Sequence, residues 1–247
     1  MAVAACARRL EVGLSAALRE FAREPVNLAL LVALPPLVVV SYGSIMSAFP
    51  ELPYMSSSPE TLGAVAGTLF VAAFLPGVIG LFQVISARRA DERLVLIGFP
   101  RATLFVSRFL TVVAASLLTA GISIAVLTTR TDVAALPAAF GTLVGVGVLY
   151  GLVGMLVGAV LPRELEGSLV LIFVADIDEA LASGIVRTDA AVTKLLPLHY
   201  PHELFRAAVT GSEIARSDAL AAGAYLLGLG VVTLAVYVSM TGEGGDS

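Results

Sequence analysis

Long stretches of the chain contain no charged residue, and this feature most constrains what it can fold into. Five such runs exceed the roughly 20 apolar residues that a helix needs to cross the hydrocarbon core of a bilayer; they are 25–50, 61–87, 109–129, 133–162 and 219–242. Backbone groups in lipid must be satisfied within the segment, so each run is predicted to be an α-helix. The alternating pattern of barrel strands is absent. Only 14% of the residues are charged, against roughly 25% in soluble domains.

A sixth run, 167–186, has the length of a span but carries three acids, Asp176, Asp178 and Glu179. Asp176 falls near mid-depth, where an aspartate costs about 2.5–3.5 kcal/mol. Helical spacing predicts that Asp176 and Glu179 share a face and that Asp178 points elsewhere. Three interpretations stay open: acids at the external mouth of a short helix, acids on a substrate or ion path through a broken or inward-facing helix, or misplaced span boundaries.

The prediction is therefore an all-α integral membrane protein with six transmembrane helices and an N-terminal amphipathic interfacial helix. The predicted spans are about 26–48, 62–86, 105–128, 134–161, 167–186 and 218–240. The interfacial helix covers 1–24, where Leu10, Leu14 and Phe21 fall on one face. Segment 187–217 is expected to be external and re-entrant or interfacial, with its amphipathic part on the outer membrane surface.

Arginine asymmetry predicts the orientation. The N-terminal segment and the segment between the second and third spans are rich in arginine, whereas loop 51–60 has no basic residue. Positive residues concentrate on the cytoplasmic side, so both termini are predicted to be cytoplasmic. The expected location is the cell (cytoplasmic) membrane, as a multi-pass protein.

The cytoplasmic segment 87–104 reads as a charged cluster, a short apolar helix, a Gly-x-Pro break at Gly98 and Pro100, and re-entry into the membrane. A short helix of this kind lies across the ends of the spans and presents charged and apolar groups to the cytosol. Any arginine-rich internal loop could also have this composition. We expect Arg88, Arg89, Asp91, Glu92 and Arg101 to be exposed.

The chain resembles the ABC-2-type exporter permeases over most of its length. The residues that carry the resemblance are Arg23-Glu24-Pro25 before a first span interrupted by Pro35-Pro36, Arg88 to Arg93 followed by Leu94 to Arg101, and Leu196 to Leu204 ending in Gly211. Glu92, Leu96, Pro100 and Arg108 match the acidic, leucine, proline and basic places of the family before its third span. The acidic fifth span departs from the family pattern.

This resemblance implies a transmembrane permease subunit of an exporter that works by alternating access. It implies a coupling helix in the segment 87–104 that docks on a separate ABC-type ATPase subunit, and a second permease chain in a homo- or heterodimer. ATP and Mg²⁺ are expected on the partner, with no cofactor and no metal bound by this chain. The implied interface residues are Arg88, Arg89, Asp91, Glu92, Arg93, Phe99, Pro100 and Arg101.

No phosphate-binding Gly-x-x-x-x-Gly-Lys-Ser/Thr sequence occurs, and the single lysine, Lys194, has no glycine before it. The chain is therefore not expected to be an enzyme. The alternative function is an ion- or proton-coupled secondary transporter that uses Asp176 and Glu179. An intramembrane hydrolase with paired acids is less consistent with acids on one span, and nucleic-acid binding has no basic, aromatic-lined stripe to support it.

Small residues recur on the fourth span at the spacing of one helix face. They are Gly147, Gly151, Gly154 and Gly158. Small residues at this spacing let helix backbones approach closely. We expect packing within the chain, with a dimer seam as the alternative.

Overall fold

The chain folds into a bundle of α-helices. The computed structural model describes residues 25–51, 58–183 and 193–240. In that part of the chain lie α1 (Pro25–Met46), α2 (Pro59–Leu96), α3 (Arg101–Leu127), α4 (Leu136–Val160), α5 (Glu164–Ala182), α6 (His199–Thr210) and α7 (Arg216–Met240). The predicted interfacial helix 1–24 and the end of the predicted fifth span, 184–186, lie outside the described residues.

Five helices, α1, α2, α3, α4 and α7, are long and apolar enough to cross a membrane. This agrees with the expected class, a multi-pass α-helical membrane protein. The remaining candidate, α5, has 19 residues, which is about 28 Å at 1.5 Å per residue. Because of its acids, α5 is not apolar enough to join these five helices, so length and composition support five crossings rather than six.

The centre of the bundle is α2, which packs against α1, α3, α4 and α5. Its middle turns are rich in alanine, glycine and leucine, and Leu69, Val71 and Ala73 are fully buried there. Small side chains let the neighbouring helices come close on several sides. By contrast, α7 lies at the periphery, where Leu220 and Leu227 are mostly exposed.

Two ends of the bundle can be told apart by contacts between helix termini. At the end formed by the α2–α3 turn, hereafter the turn end, the Arg88 guanidinium donates to the Ala159 carbonyl at the C-terminus of α4 (2.8 Å). At the opposite end, hereafter the α6 end, Arg130 pairs with Glu60 across the ends of α3 and α2 (3.3 Å). The helices therefore run up and down through the bundle.

The segment 87–104 does not contain a separate short helix, and that expectation is wrong. Helix α2 continues to Leu96, because residues 87–96 are mostly strong helix formers such as alanine, arginine, glutamate and leucine. The chain then turns at Gly98, whose φ of 88° is the left-handed conformation that glycine adopts without steric cost. Pro100 caps α3, which begins at Arg101.

The two prolines of the first span do not interrupt it. Helix α1 runs from Pro25 to Met46 with Pro35 and Pro36 inside. Both rings remove a backbone donor from the helix, yet Pro35 is buried in the bundle and the helix continues past it.

Four glycines of α4, namely Gly147, Gly151, Gly154 and Gly158, face other helices of the same chain. A Cβ at Gly154 would overlap the carbonyl oxygen of Gly77 on α2, and one at Gly158 would lie 2.8 Å from the carbonyl oxygen of Leu81. At Gly147 it would lie 2.7 Å from the Ser116 Cβ on α3, and at Gly151 it would overlap Val112. Glycine is therefore what allows α4 to lie against α2 and α3 at backbone distance.

Helix α6 packs against the rest of the bundle through its apolar face. Phe205 and Ala208 are fully buried, as is Leu198 just before the helix. The amides of Ala134 and Ala135, before α4, donate to the carbonyls of Val209 and Ala208. Gly211 ends the helix with a φ of 75°, so the chain leaves α6 in a conformation that suits glycine.

Candidate functional site

Helix α5 turns two of its acids inward and most of its large apolar side chains outward. Phe173 and Ile177 are 64% and 55% exposed, whereas Asp178 and Glu179 are each 2% exposed. The buried positions of the helix follow helical spacing, with Leu171 and Ala175 preceding the two acids on the inward face. Acids at this position are compatible with a lipid-exposed helix because they face protein.

The expected pairing of acids is wrong. Asp176 is exposed, and the two acids that share the buried face are Asp178 and Glu179. Helix α5 also continues without a break through all three. The Asp176 carboxylate accepts a hydrogen bond from the Tyr42 hydroxyl on α1 (3.0 Å), which places it at the edge of the bundle.

Asp178 is held by two donors from other elements. The Tyr150 hydroxyl on α4 donates to its Oδ2 atom. The backbone amide of Leu198, next to α6, donates to the same oxygen at 3.1 Å. These bonds tie α5 to α4 and to the start of α6, and they compensate part of the cost of burying a carboxylate.

Glu179 faces His202 on α6. The Nδ1 atom of His202 lies 3.3 Å from the Glu179 Oε1 atom, and both side chains are buried. Within the described part of the chain, no donor reaches either Glu179 oxygen in hydrogen-bonding geometry. The imidazole is therefore the group positioned to compensate the charge of this carboxylate.

The surroundings of His202 favour its charged form. Burial lowers the pKa of the imidazole. The Glu179 carboxylate beside it and the nearby Glu203 together raise the pKa by more, so the net pKa lies above the ordinary value of 6.5. An opposite charge within about 4–6 Å acts in this direction. His202 is thus poised to hold a proton near neutral pH.

A second polar cluster lies at the turn end. Asp91 is 2% exposed. Its Oδ1 atom accepts from Arg108 on α3 at 3.1 Å, and its Oδ2 atom accepts from the Tyr237 hydroxyl on α7 at 2.5 Å. The expectation that Asp91 is exposed is wrong, because these bonds draw it into the contact of three helices.

The other residues predicted for a partner interface divide into two groups. Arg89, Glu92, Arg93 and Pro100 are exposed, and Phe99 and Arg101 are half-buried. Arg88 is also half-buried, because its guanidinium binds the C-terminal carbonyls of α4. At the tip of the turn, Leu96 and Ile97 are 77% and 80% exposed. The turn therefore combines two exposed apolar side chains with exposed charges of both signs.

Sequence reasoning missed the partners of the acids. Tyr150 and Tyr237 each stand in an otherwise uncharged run; a phenol there is a signal of a buried polar partner, because its hydroxyl needs one. His202 was missed as well, because nothing in the sequence places it next to Glu179. In the described residues, no group of three or more histidine, cysteine, aspartate or glutamate side chains could hold a metal ion.

No protein-family model matches the chain, and no curated protein matches it with significance.

Proposed function

We propose that the chain is the transmembrane permease subunit of an ATP-binding-cassette exporter, and that its α2–α3 turn docks on a separate ATPase subunit. In this proposal α5 is the sixth crossing helix, both termini lie on the cytoplasmic side at the turn end, and a second permease chain completes the transporter. Alternating access is driven by ATP hydrolysis in the partner.

The observation that carries the proposal is the exposed apolar tip of the turn. Ala87 is the last residue of the uncharged run. At a rise of 1.5 Å per residue, Leu96 lies about 14 Å farther along the helix axis. The segment between them contains Arg88, Arg89 and Glu92, which belong in water or headgroups rather than in hydrocarbon. Leu96 and Ile97 are 77% and 80% exposed, beyond the depth at which lipid tails cover a side chain. An apolar pair ringed by charges suits the core and rim of a protein interface.

The cluster around Asp91 supports the same function. It lies close behind the turn and joins α2, α3 and α7 through Arg108 and Tyr237. A displacement of the turn by a partner is therefore passed to three helices together rather than absorbed by one. Such a connection is what a permease needs in order to convert movement of an ATPase into movement of its spans.

The experiment is site-specific photo-crosslinking of the full chain in its own host membrane. A photoreactive residue replaces Ile97 in one variant. In the control variant it replaces Phe49, which is 55% exposed near the opposite end of the bundle. We expect the Ile97 variant alone to form an adduct with a protein that carries a Gly-x-x-x-x-Gly-Lys-Ser/Thr sequence. Adducts of both variants with the same protein, or an Ile97 variant that forms adducts only with lipid, would refute the docking surface.

A further inference from the structure

We infer that Glu179 and His202 form a proton-binding site at the contact between α5 and α6, and that its proton holds α6 against the bundle. The site lies at the α6 end, far along the helices from the turn that the proposed partner uses. The inference goes beyond the proposed function and does not depend on an ATPase.

The first step is the unmet charge of Glu179. Its side chain is 3% exposed, and both of its oxygens lack a hydrogen-bond donor among the described residues. An ionised carboxylate buried in this way is unfavourable unless a cation compensates it. The His202 ring at 3.3 Å can do so only when it carries a proton on both nitrogens.

The second step is the set of groups that face this pair. Asp178 is adjacent on α5, but its Oδ2 atom already accepts from Tyr150 and Leu198. Helix α2 meets α5 through apolar contacts, with Gly77 near Leu171. Within the described part of the chain, the other titratable or charged groups near the pair are Asp176 on α5, Tyr42 on α1, Tyr150 on α4, and Glu203 and Arg206 on α6.

These neighbours leave His202 as the compensating group. Arg206 donates to Glu203 at 2.6 Å on the more exposed side of α6, so its charge is matched there. The Tyr42 hydroxyl donates to Asp176 and the Tyr150 hydroxyl donates to Asp178. The imidazole takes up one proton from the aqueous phase and releases it to the same phase. This proton therefore decides whether Glu179 is buried as part of an ion pair or as a lone anion.

A proton fits the site better than a metal ion. The pair offers one imidazole nitrogen and one carboxylate, whereas catalytic and structural zinc sites use three or four protein ligands. Asp178 does not complete such a set, since in the described residues no group of three or more histidine, cysteine, aspartate or glutamate side chains could hold a metal ion.

Loss of the proton is expected to loosen α6. The helix has 12 residues. Among the described residues, it is linked to α5 by the Glu179–His202 pair and, just before the helix, by the bond from the Leu198 amide to Asp178. Without the imidazolium, burial of Glu179 becomes unfavourable and the contact opens to let water reach the carboxylate. The proton thus controls how closely the α6 end is packed.

The test uses the small number of histidines. The chain has two, His199 and His202, so ring signals of the full-length protein, labelled at histidine and reconstituted in lipid nanodiscs, can be assigned with His199→Gln and His202→Gln. We expect the His202 signal to titrate with a midpoint above roughly 6.5. A midpoint at or below that value, or no titration between about pH 5 and 9, would overturn the inference.

Two carboxylate variants separate the site from a general charge effect. Glu179→Gln is expected to lower the His202 midpoint by at least about one unit, a tenfold loss of proton affinity. Glu203→Gln, on the same helix but paired at the surface with Arg206, is expected to change it much less. Equal shifts in the two variants would contradict the assignment. If Glu179→Gln does not fold, Glu179→Asp keeps the charge, and its midpoint should stay above that of an unpaired histidine.

Discussion

The replacement of Gly154 by alanine tests how closely α4 approaches α2. A Cβ at this position would overlap the carbonyl oxygen of Gly77. That oxygen belongs to the backbone of a helix and cannot rotate away, so the two helices would have to separate. Overpacking of this kind typically costs 1–3 kcal/mol, while the helical gain of alanine over glycine is roughly 0.5–1 kcal/mol. We therefore expect Gly154→Ala to lower the free energy of unfolding by about 1 kcal/mol.

The same helix provides a matched control. Gly145 lies on α4, and a Cβ there would meet no atom within 4 Å. Gly145→Ala should therefore keep only the helical gain and raise stability by up to about 1 kcal/mol. Gly158→Ala should fall between the two, since its Cβ would lie 2.8 Å from the Leu81 carbonyl oxygen.

Thermal unfolding of the purified chain, followed by the loss of helical circular dichroism, measures these differences. A gap of about 2 kcal/mol between Gly154→Ala and Gly145→Ala corresponds to roughly 4–8 °C for a chain of this size. Equal midpoints for the two variants would show that α4 does not depend on backbone contact with α2. Loss of stability in Gly145→Ala would equally contradict the reasoning, because that site has room for a methyl group.

Two further predictions concern charged groups. Asp91→Asn should lower the free energy of unfolding by about 3 kcal/mol, because it breaks a buried ion pair. Glu60→Gln, at an exposed pair, should cost less than about 1 kcal/mol. Similar losses for the two variants in chemical unfolding would refute the burial of Asp91. The raised pKa of His202 means that its stabilisation is fully present below about pH 6.5 and is lost as the pH rises through the folded-state pKa. The unfolding midpoint of the wild type should therefore fall over that range more steeply than that of His202→Gln, and parallel profiles would contradict the sign of the shift.

The positions of the apolar helices could be predicted from the sequence because the lipid solvent acts residue by residue. The predicted span 134–161 and the helix Leu136–Val160 differ by only a few residues at each end. The end of α2 is harder to predict, because the charged residues 88–93 suggest a change of structure. Arginine, glutamate and alanine are nevertheless strong helix formers, so the helix continues through these charges to Leu96.

The arrangement of the acids could not be predicted, because it depends on side chains from other helices. Spacing placed Asp176 with Glu179, but a helix face is 100° wide or more, and α5 could be rotated so as to bury Asp178 instead. That rotation is set by Tyr150 on α4 and by the Leu198 amide beside α6. Neither partner is near α5 in sequence, so only the tertiary contact decides which carboxylates are buried.

The partners of the carboxylates divide into two kinds, and the division bears on the proton site. Three carboxylates accept from tyrosines that stand in uncharged runs of the sequence, in the pairs Tyr42 with Asp176, Tyr150 with Asp178 and Tyr237 with Asp91. A phenol enters an apolar helix at much lower cost than a charge, and its hydroxyl donates over the whole pH range below about 10. Glu179 differs from these three, since its neighbour is an imidazole whose charge changes close to neutral pH. The tyrosines can therefore donate to their acids at any physiological pH, whereas the group beside Glu179 changes its charge when it binds or releases a proton.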